Sequence, residues 1–149
     1  MGILEGDSTA EIDAPLERVW TLVSDVERGP QWQGGLKSLV AIERDGEDHV
    51  LVADTETDAK LRTLKSQVRF RYEPPTRLTW EQTVGELKSI SGSWILEDLG
   101  DGRTRARYWV GVDLGPLGLL IRGPIVDMLR EQLAGARANE LKAAIEGDA

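Results

Sequence analysis

The chain is poor in the side chains that most often carry catalysis or bind metals. Its 149 residues include no cysteine and a single histidine, His49. Thiolate nucleophiles, thiolate metal sites and disulfides are therefore excluded. A Ser-His-Asp triad or a two-histidine metal site would depend on His49 or be excluded. His49 lies beside the Gly46-Glu47-Asp48 turn and reads as an exposed hairpin residue. Asp54, Glu56 and Asp58 share one strand face and offer the oxygen ligands that hard cations take. No loop with ligand spacing surrounds them, so they read as a solvated face, and neither a metal nor another cofactor is expected. Gly115-Pro116-Leu117-Gly118 lacks both the Walker lysine and the dinucleotide glycine pattern. It reads as the turn that opens the last helix.

What the chain has in excess is tryptophan, five against a single phenylalanine. Each indole offers a large apolar face with one N–H donor. Trp20 has helical spacing with other core residues and reads as packing. Trp80 and Trp94 fall on the inward faces of neighbouring strands, where a flat ligand could lie against them or where they simply pack the wall. Ser66, Gln82 and Tyr108 share parity with inward apolar residues, Phe70 among them. A buried hydroxyl or amide costs free energy unless it is hydrogen-bonded. A ligand, an ordered water or a neighbouring strand could supply that partner. Arg62 has the parity of Ser66, but its place at a strand end favours exposure. Arg69, Arg71, Arg103, Arg105 and Arg107 read as a water-facing set that pairs across the sheet with Glu81 and Glu97.

The elements that must position these groups follow from periodicity. Ser8 to Asp13 alternates like a short strand, and Ala14-Pro15 marks a helix start, with Pro15 at the first helical position. Leu16, Val19, Trp20 and Val23 then lie on one helical face. Ser24-Asp25-Val26-Glu27 predicts a capping box for a second short helix, which Gly29-Pro30 should stop. From Leu36 the period changes to two. Leu36, Ser38, Val40 and Ile42 share a parity, Asp45-Gly46 supplies a hairpin turn, and His49 to Thr57 returns. Strands follow over Leu64–Tyr72, Leu78–Val84, Leu87–Glu97 and Arg103–Asp113, separated by Pro74-Pro75, Gly85 and Gly100-Asp101-Gly102. Together with the first strand they predict a seven-stranded antiparallel sheet.

After Gly115-Pro116 about 30 helix-compatible residues run to Glu146, a rod of roughly 45 Å at 1.5 Å per residue. Leu117, Leu120, Ile121, Ile125, Met128, Leu129, Leu133, Ala136 and Ala144 fall near one stripe. Gly123-Pro124 should kink this helix near its start. A sheet wrapped around such a rod encloses a cavity, which predicts an α+β ligand-binding domain spanning residues 1–149.

Composition narrows the partners. A formal charge of −8 argues against nucleic acid and against anionic membrane surfaces. The segment Met1–Asp7 has no basic stretch leading into an apolar run, so it does not read as a secretory signal. Leu117 to Ile121 is far shorter than the roughly 20 residues that span a bilayer. A cytoplasmic protein, monomer or homodimer, with a small hydrophobic molecule carried inside it, a lipid, an isoprenoid or an aromatic or polyketide-like compound, is the expectation.

The order strand, two short helices, six strands, long helix resembles the helix-grip fold of the START and polyketide cyclase/dehydrase superfamily. Local sequence supports the likeness over nearly the whole chain. Ile12-Asp13-Ala14-Pro15-Leu16-Glu17-Arg18-Val19-Trp20, Val23-Ser24-Asp25-Val26-Glu27-Arg28 and Gln31-Trp32 are similar to that superfamily's opening, and Gly92-Ser93-Trp94 and Gly102-Arg103-Thr104 to its later signatures. The resemblance implies a seven-stranded curved antiparallel sheet wrapped around the C-terminal helix, with a hydrophobic cavity between them. It places Trp32 at the cavity mouth and leaves two activities open, a carrier or sensor and a polyketide cyclase or aromatase. In cyclizing members polar cavity groups, often Arg, Tyr and Trp, position a polyketone chain. The residues expected to meet a ligand are Trp32, Ser66, Phe70, Trp80, Gln82, Trp94, Tyr108, Ile121, Ile125 and Met128.

Overall fold

Alternation at period two becomes a single antiparallel sheet in the computed structural model, which describes residues 3–60, 62–120 and 122–147. The strands are β1 (Ile3–Ile12), β2 (Leu36–Arg44), β3 (Val50–Asp58), β4 (Thr63–Glu73), β5 (Arg77–Gly85), β6 (Ser89–Gly100) and β7 (Arg103–Asp113). They lie in the order β1-β7-β6-β5-β4-β3-β2, so β1 and β2 form opposite edges. Every neighbour but the β1–β7 pair is a sequential hairpin, which short turns suffice to connect. The inward parity of the middle strands is the expected one: Leu64, Val68, Phe70, Leu78, Trp94, Tyr108 and Val110 are all buried.

Strand β2 departs from the expected parity. Val40 and Ile42 are 62% and 48% exposed, while Leu39 and Ala41 pack against the core. The register shifts between Leu36 and Ser38, and an inserted residue moves every later side chain to the other face. Leu36 and Leu39 thus both reach the concave side.

Between β1 and β2 the chain crosses the end of the sheet. Helix α1 (Leu16–Ser24) buries Val19 and Val23, with Pro15 one place earlier than expected, at its N-cap. The Ser24–Glu27 capping box does not form, because Asp25 takes the cap position without a side-chain bond and Val26–Arg28 winds as a 3-10 turn. Gly29-Pro30 begins helix α2 (Gly29–Trp32) instead of ending one. Pro30 needs no N–H in a first turn, so it is tolerated there.

The C-terminal segment is shorter and more divided than a single 30-residue rod. Gly115–Leu120 forms a 3-10 turn, and helix α3 (Pro124–Arg130) starts only after Gly123, whose φ of 60 breaks the run. Pro124 therefore opens the helix and does not kink it. A wide π segment (Glu131–Gly135) joins α3 to α4 (Arg137–Glu146), giving a helical stretch over 124–146 of roughly 35 Å. This stretch lies along β1. Arg130 Nε donates to the Glu5 carbonyl at 2.9 Å and Lys142 Nζ to the Glu11 carbonyl at 2.7 Å. Its Leu133, Ala134, Ala138, Leu141 and Ile145 are buried.

Leu141 is fully buried in this seam. Leu141→Ala is expected to lower the unfolding free energy by about 2–5 kcal/mol, the range for truncating a buried leucine. Urea denaturation followed by tryptophan fluorescence checks it, and a loss below about 1 kcal/mol would contradict this packing.

Candidate ligand-binding cavity

Four aromatic side chains from separate elements form the cavity's inner wall. Trp94 on β6 stands 4.8 Å, centroid to centroid, from Tyr108 on β7 and 6.0 Å from Trp32 on α2. Trp80 on β5 lies 5.4 Å from Tyr108. The rings are tilted to one another, as aromatic quadrupoles favour. Room for the Trp80 indole exists because its cross-strand partner is Gly92: a Cβ there would sit 2.2 Å from the ring. Phe70 and Val68 continue the wall on β4, and Leu133 closes it from the π segment. The space within, partly open to solvent, is about 110 Å³.

The polar groups of this cavity divide by whether the protein already satisfies them. Ser66 Oγ donates to Gln82 Oε1 at 2.8 Å, Gln82 Nε2 donates to the Leu87 carbonyl at 2.8 Å, and Thr55 Oγ1 donates to the Ser66 carbonyl at 3.2 Å. Trp32 Nε1 is buried and without a partner among the described residues. The Tyr108 hydroxyl has none there either. Burial pushes its pKa up to about 12, against the pull of the Arg137 charge. Trp32 Nε1 can only donate, and the Tyr108 hydroxyl can donate or accept.

Arg137 is the residue that strand parity and helical stripe both missed. It is only 4% exposed and lines the cavity, with its guanidinium bonded to the Glu140 carboxylate and the Gln132 carbonyl. Those bonds use two of the five guanidinium donors. Burial lowers its pKa, while Tyr108 and Glu131 act in the opposite sense. Glu140 also accepts from the Gly34 amide at 2.9 Å, and Gln132 Nε2 donates to the Asp58 carbonyl at 3.0 Å. The network ties the terminal helix to the α2–β2 loop and the end of β3. Its signal in the sequence was a row at spacing four, Leu129-Leu133-Arg137-Leu141-Ile145, in which only Arg137 is not apolar.

Of the residues expected to meet a ligand, Trp32, Ser66, Phe70, Trp80, Trp94 and Tyr108 come together on the cavity wall. Gln82 stands behind Ser66, held by its two hydrogen bonds. Ile125 packs against the core at the first turn of α3, and Met128 is 38% exposed on its outer side. Ile121 lies outside the described residues. Arg62 is at the surface, paired with Glu86, and His49 stacks on Tyr72 at 5.0 Å with Asp45 beside it. No group of three or more potential metal ligands occurs among the described residues, Asp54, Glu56 and Asp58 included. No described helix is long and apolar enough to cross a membrane.

A curved antiparallel sheet gripping a C-terminal helix over an aromatic cavity defines a helix-grip ligand-binding domain. The chain belongs to the family described as polyketide cyclase/dehydrase and lipid transport, whose profile matches residues 5–146. Among solved structures it is similar to a START superfamily protein from Mycobacterium smegmatis, at 18% identity over 97% of this chain and 99% of that one, with a TM-score of 0.83. A protein from Thermus thermophilus gives 19% identity, the same coverage and a TM-score of 0.81. The Zhui aromatase/cyclase from Streptomyces sp. R1128 gives 17% identity over 97% and 94% of the two chains and a TM-score of 0.74. At these identities the likeness is one of fold. No curated protein matches the sequence.

The raised Tyr108 pKa has a stability consequence of definite sign. The unfolded tyrosine loses its proton near pH 10, whereas the folded one holds it to about 12. Between those values the unfolded state binds fewer protons, so stability falls as pH rises, by about 1.4 kcal/mol per pH unit for this one group. Urea midpoints measured from pH 9.5 to 11.5 should fall with pH in the wild type, and less steeply in Tyr108→Phe.

Proposed function

We propose that this protein binds a compact cyclic molecule, with an apolar body and at least one hydrogen-bond-accepting oxygen, in the cavity between sheet and C-terminal helix. It acts as a carrier or sensor in the cytoplasm. The observation that carries the reading is the composition of the cavity wall: aromatic rings on the sheet side, the buried and unpartnered Trp32 Nε1 donor, and two further groups able to donate, the Tyr108 hydroxyl and the Arg137 guanidinium. An apolar pocket with a few convergent polar groups is the usual form of a small-molecule site. Size supports a single ring over a long lipid, isoprenoid or poly-keto chain. The cavity's 110 Å³ is closer to the roughly 150 Å³ that takes benzene than to the roughly 300–1,000 Å³ of sites for larger ligands. Because Glu140 already neutralises Arg137, a neutral carbonyl oxygen suits the cavity better than a carboxylate.

A second reading, a polyketide cyclase or aromatase, draws support from the meeting of Arg137, Tyr108 and three tryptophans in one cavity. The similarity in fold to an aromatase/cyclase is also in its favour. In that reading Tyr108 and Arg137 hold a keto oxygen and favour the enol that attacks.

Native mass spectrometry of the purified protein tests retention of a small molecule, and thermal shift with acetophenone tests the size class. Acetophenone at ten times its Kd should stabilise the fold by roughly 1.4 kcal/mol, raising Tm by several degrees. Leu39→Trp, which fills the cavity from β2, should abolish the shift. Failure of acetophenone and of ethylbenzene alike to bind would overturn the binding reading. For the cyclase reading, incubation with 2,4,6-heptanetrione should change its product pattern, and Tyr108→Phe should remove the change.

A further inference from the structure

The opposite, water-facing side of the sheet carries a second depression, of about 390 Å³. Strand register builds it. One cross-strand row reads Arg71, Thr79, Ser93, Trp109, and the next reads Arg69, Glu81, Ser91. Arg77 and Ile95 pair in the row on the other side. Thr79, Ser91 and Ser93 give a low floor with hydroxyl groups, and Arg69, Arg71, Arg77, Ile95 and Trp109 rise around it, with Glu81 the one carboxylate among the lining residues described. The Trp109 indole lies down along its strand because the next outward position is Gly111, where a Cβ would come within 2.7 Å of the ring. A half-buried aromatic plane is thereby held at the edge of a polar dish.

Ion pairing distinguishes these arginines from their neighbours on the same face. Arg103, Arg105 and Arg107 are matched by Glu11, Glu97 and Asp7 at 3.1, 2.7 and 3.2 Å. Arg69 and Arg71 have no carboxylate within 4.0 Å among the described residues, although Glu81 is the direct cross-strand partner of Arg69. Arg77 reaches Glu73 only at 3.9 Å. In a chain with eight more acidic than basic residues, acidic partners are abundant, yet Arg69 and Arg71 lack a close one among the described residues and Arg77 has only a long contact to Glu73. The guanidinium fork matches carboxylate and phosphate oxygens in paired hydrogen bonds, hydroxyls extend such a site, and indole accepts a flat apolar body.

We infer that this outer depression is a second binding site, for a small planar organic anion: a ring bearing a phosphate or carboxylate group. The oxyanion rests between Arg69, Arg71 and Arg77, and the ring lies against Trp109. This site is independent of the cavity ligand, and it gives the two faces of one sheet different chemistries, a neutral one inside and an anionic one outside.

Isothermal titration with 1-naphthyl phosphate, 1-naphthoate and neutral 1-naphthol tests it, with amide chemical shifts in an NMR titration locating the contact. One of the two anions is expected to bind at least tenfold more tightly than 1-naphthol and to shift the amides of β5 and β6 around Thr79 and Ser93. Which anion is preferred tells phosphate from carboxylate. The double variant Arg69→Gln with Arg71→Gln changes only exposed side chains, so it should keep the wild-type Tm and lose at least tenfold in affinity. Ser93→Leu, which raises the floor, should do the same by another route. The inference is overturned if 1-naphthol binds as tightly as the anions, if the double variant binds unchanged, or if no anion binds at millimolar concentration. Binding of a hexaglutamate peptide in the absence of naphthyl phosphate or naphthoate binding would also overturn it, in favour of a protein partner.

Discussion

The close approach of the terminal helix to strand β1 is the constraint on which both the cavity and its polar groups depend. It requires Gly6, because a Cβ at that position would lie 2.8 Å from Arg130 Cγ and 2.9 Å from the Ala134 methyl. It also places Ser8 against the helix, where the hydroxyl donates to the Ala134 carbonyl at 2.8 Å and accepts from the Ala138 amide at 3.1 Å. That carbonyl and amide would bond each other in a regular α-helix. A side chain inserted into the ladder satisfies both while holding them apart, one of the recognised ways a helix is bent or widened. The π segment Glu131–Gly135 lies at this point.

The wide turn in turn decides which residues face the sheet. Leu129, Leu133, Arg137, Leu141 and Ile145 are all buried although they are spaced by four. In an unbroken α-helix each step of four overshoots a full turn by about 40°, so such a row would drift away from any fixed surface. A π turn takes up more residues per revolution and brings the row back. Arg137 is thereby carried into the interior, where Glu140 and the Gln132 carbonyl make its burial tolerable. A guanidinium buried without them would carry a penalty of several kcal/mol.

How far the sequence could be read follows from these same residues. Strands β4 to β7 were legible because one face is wet and one dry, so Leu64, Val68 and Phe70, and likewise Tyr108 and Val110, alternate cleanly with Arg69, Arg71, Arg107 and Trp109. Strand β2 was not, since Leu36-Lys37-Ser38-Leu39-Val40 can be read in either parity and a bulge chooses between them. The helix stripe was placed with a regular 3.6 period, which put Met128 and Ala136 on the buried line and left Arg137 off it. Nothing local to residues 131–135 announces a π turn, and the side chain that enters the helix ladder beside it is Ser8, more than 120 positions away. The aromatic wall was within reach because Trp80, Trp94 and Tyr108 sit on inward parity. The partners of Ser66 and Gln82 became visible only with the strands assembled.

An unfilled cavity has an energetic meaning of its own. At about 24 cal/mol per Å³ for a closed dry void, 110 Å³ sets an upper bound of about 2.6 kcal/mol on what this partly open cavity forgoes relative to a filled one. Against a total stability of about 5–15 kcal/mol for a domain, that is a large fraction. Filling it needs no new fold: a leucine in place of Ser66 or Thr55 would do so from the existing strands, and both positions instead hold small hydroxyl residues whose bonds run to Gln82 and the Ser66 carbonyl. The same core is otherwise packed with large side chains, Trp94 and Leu141 among the most buried of all. Space left at one place in so dense an interior, edged by a hydrogen-bond donor without a partner among the described residues, is the arrangement expected where a second molecule completes the packing.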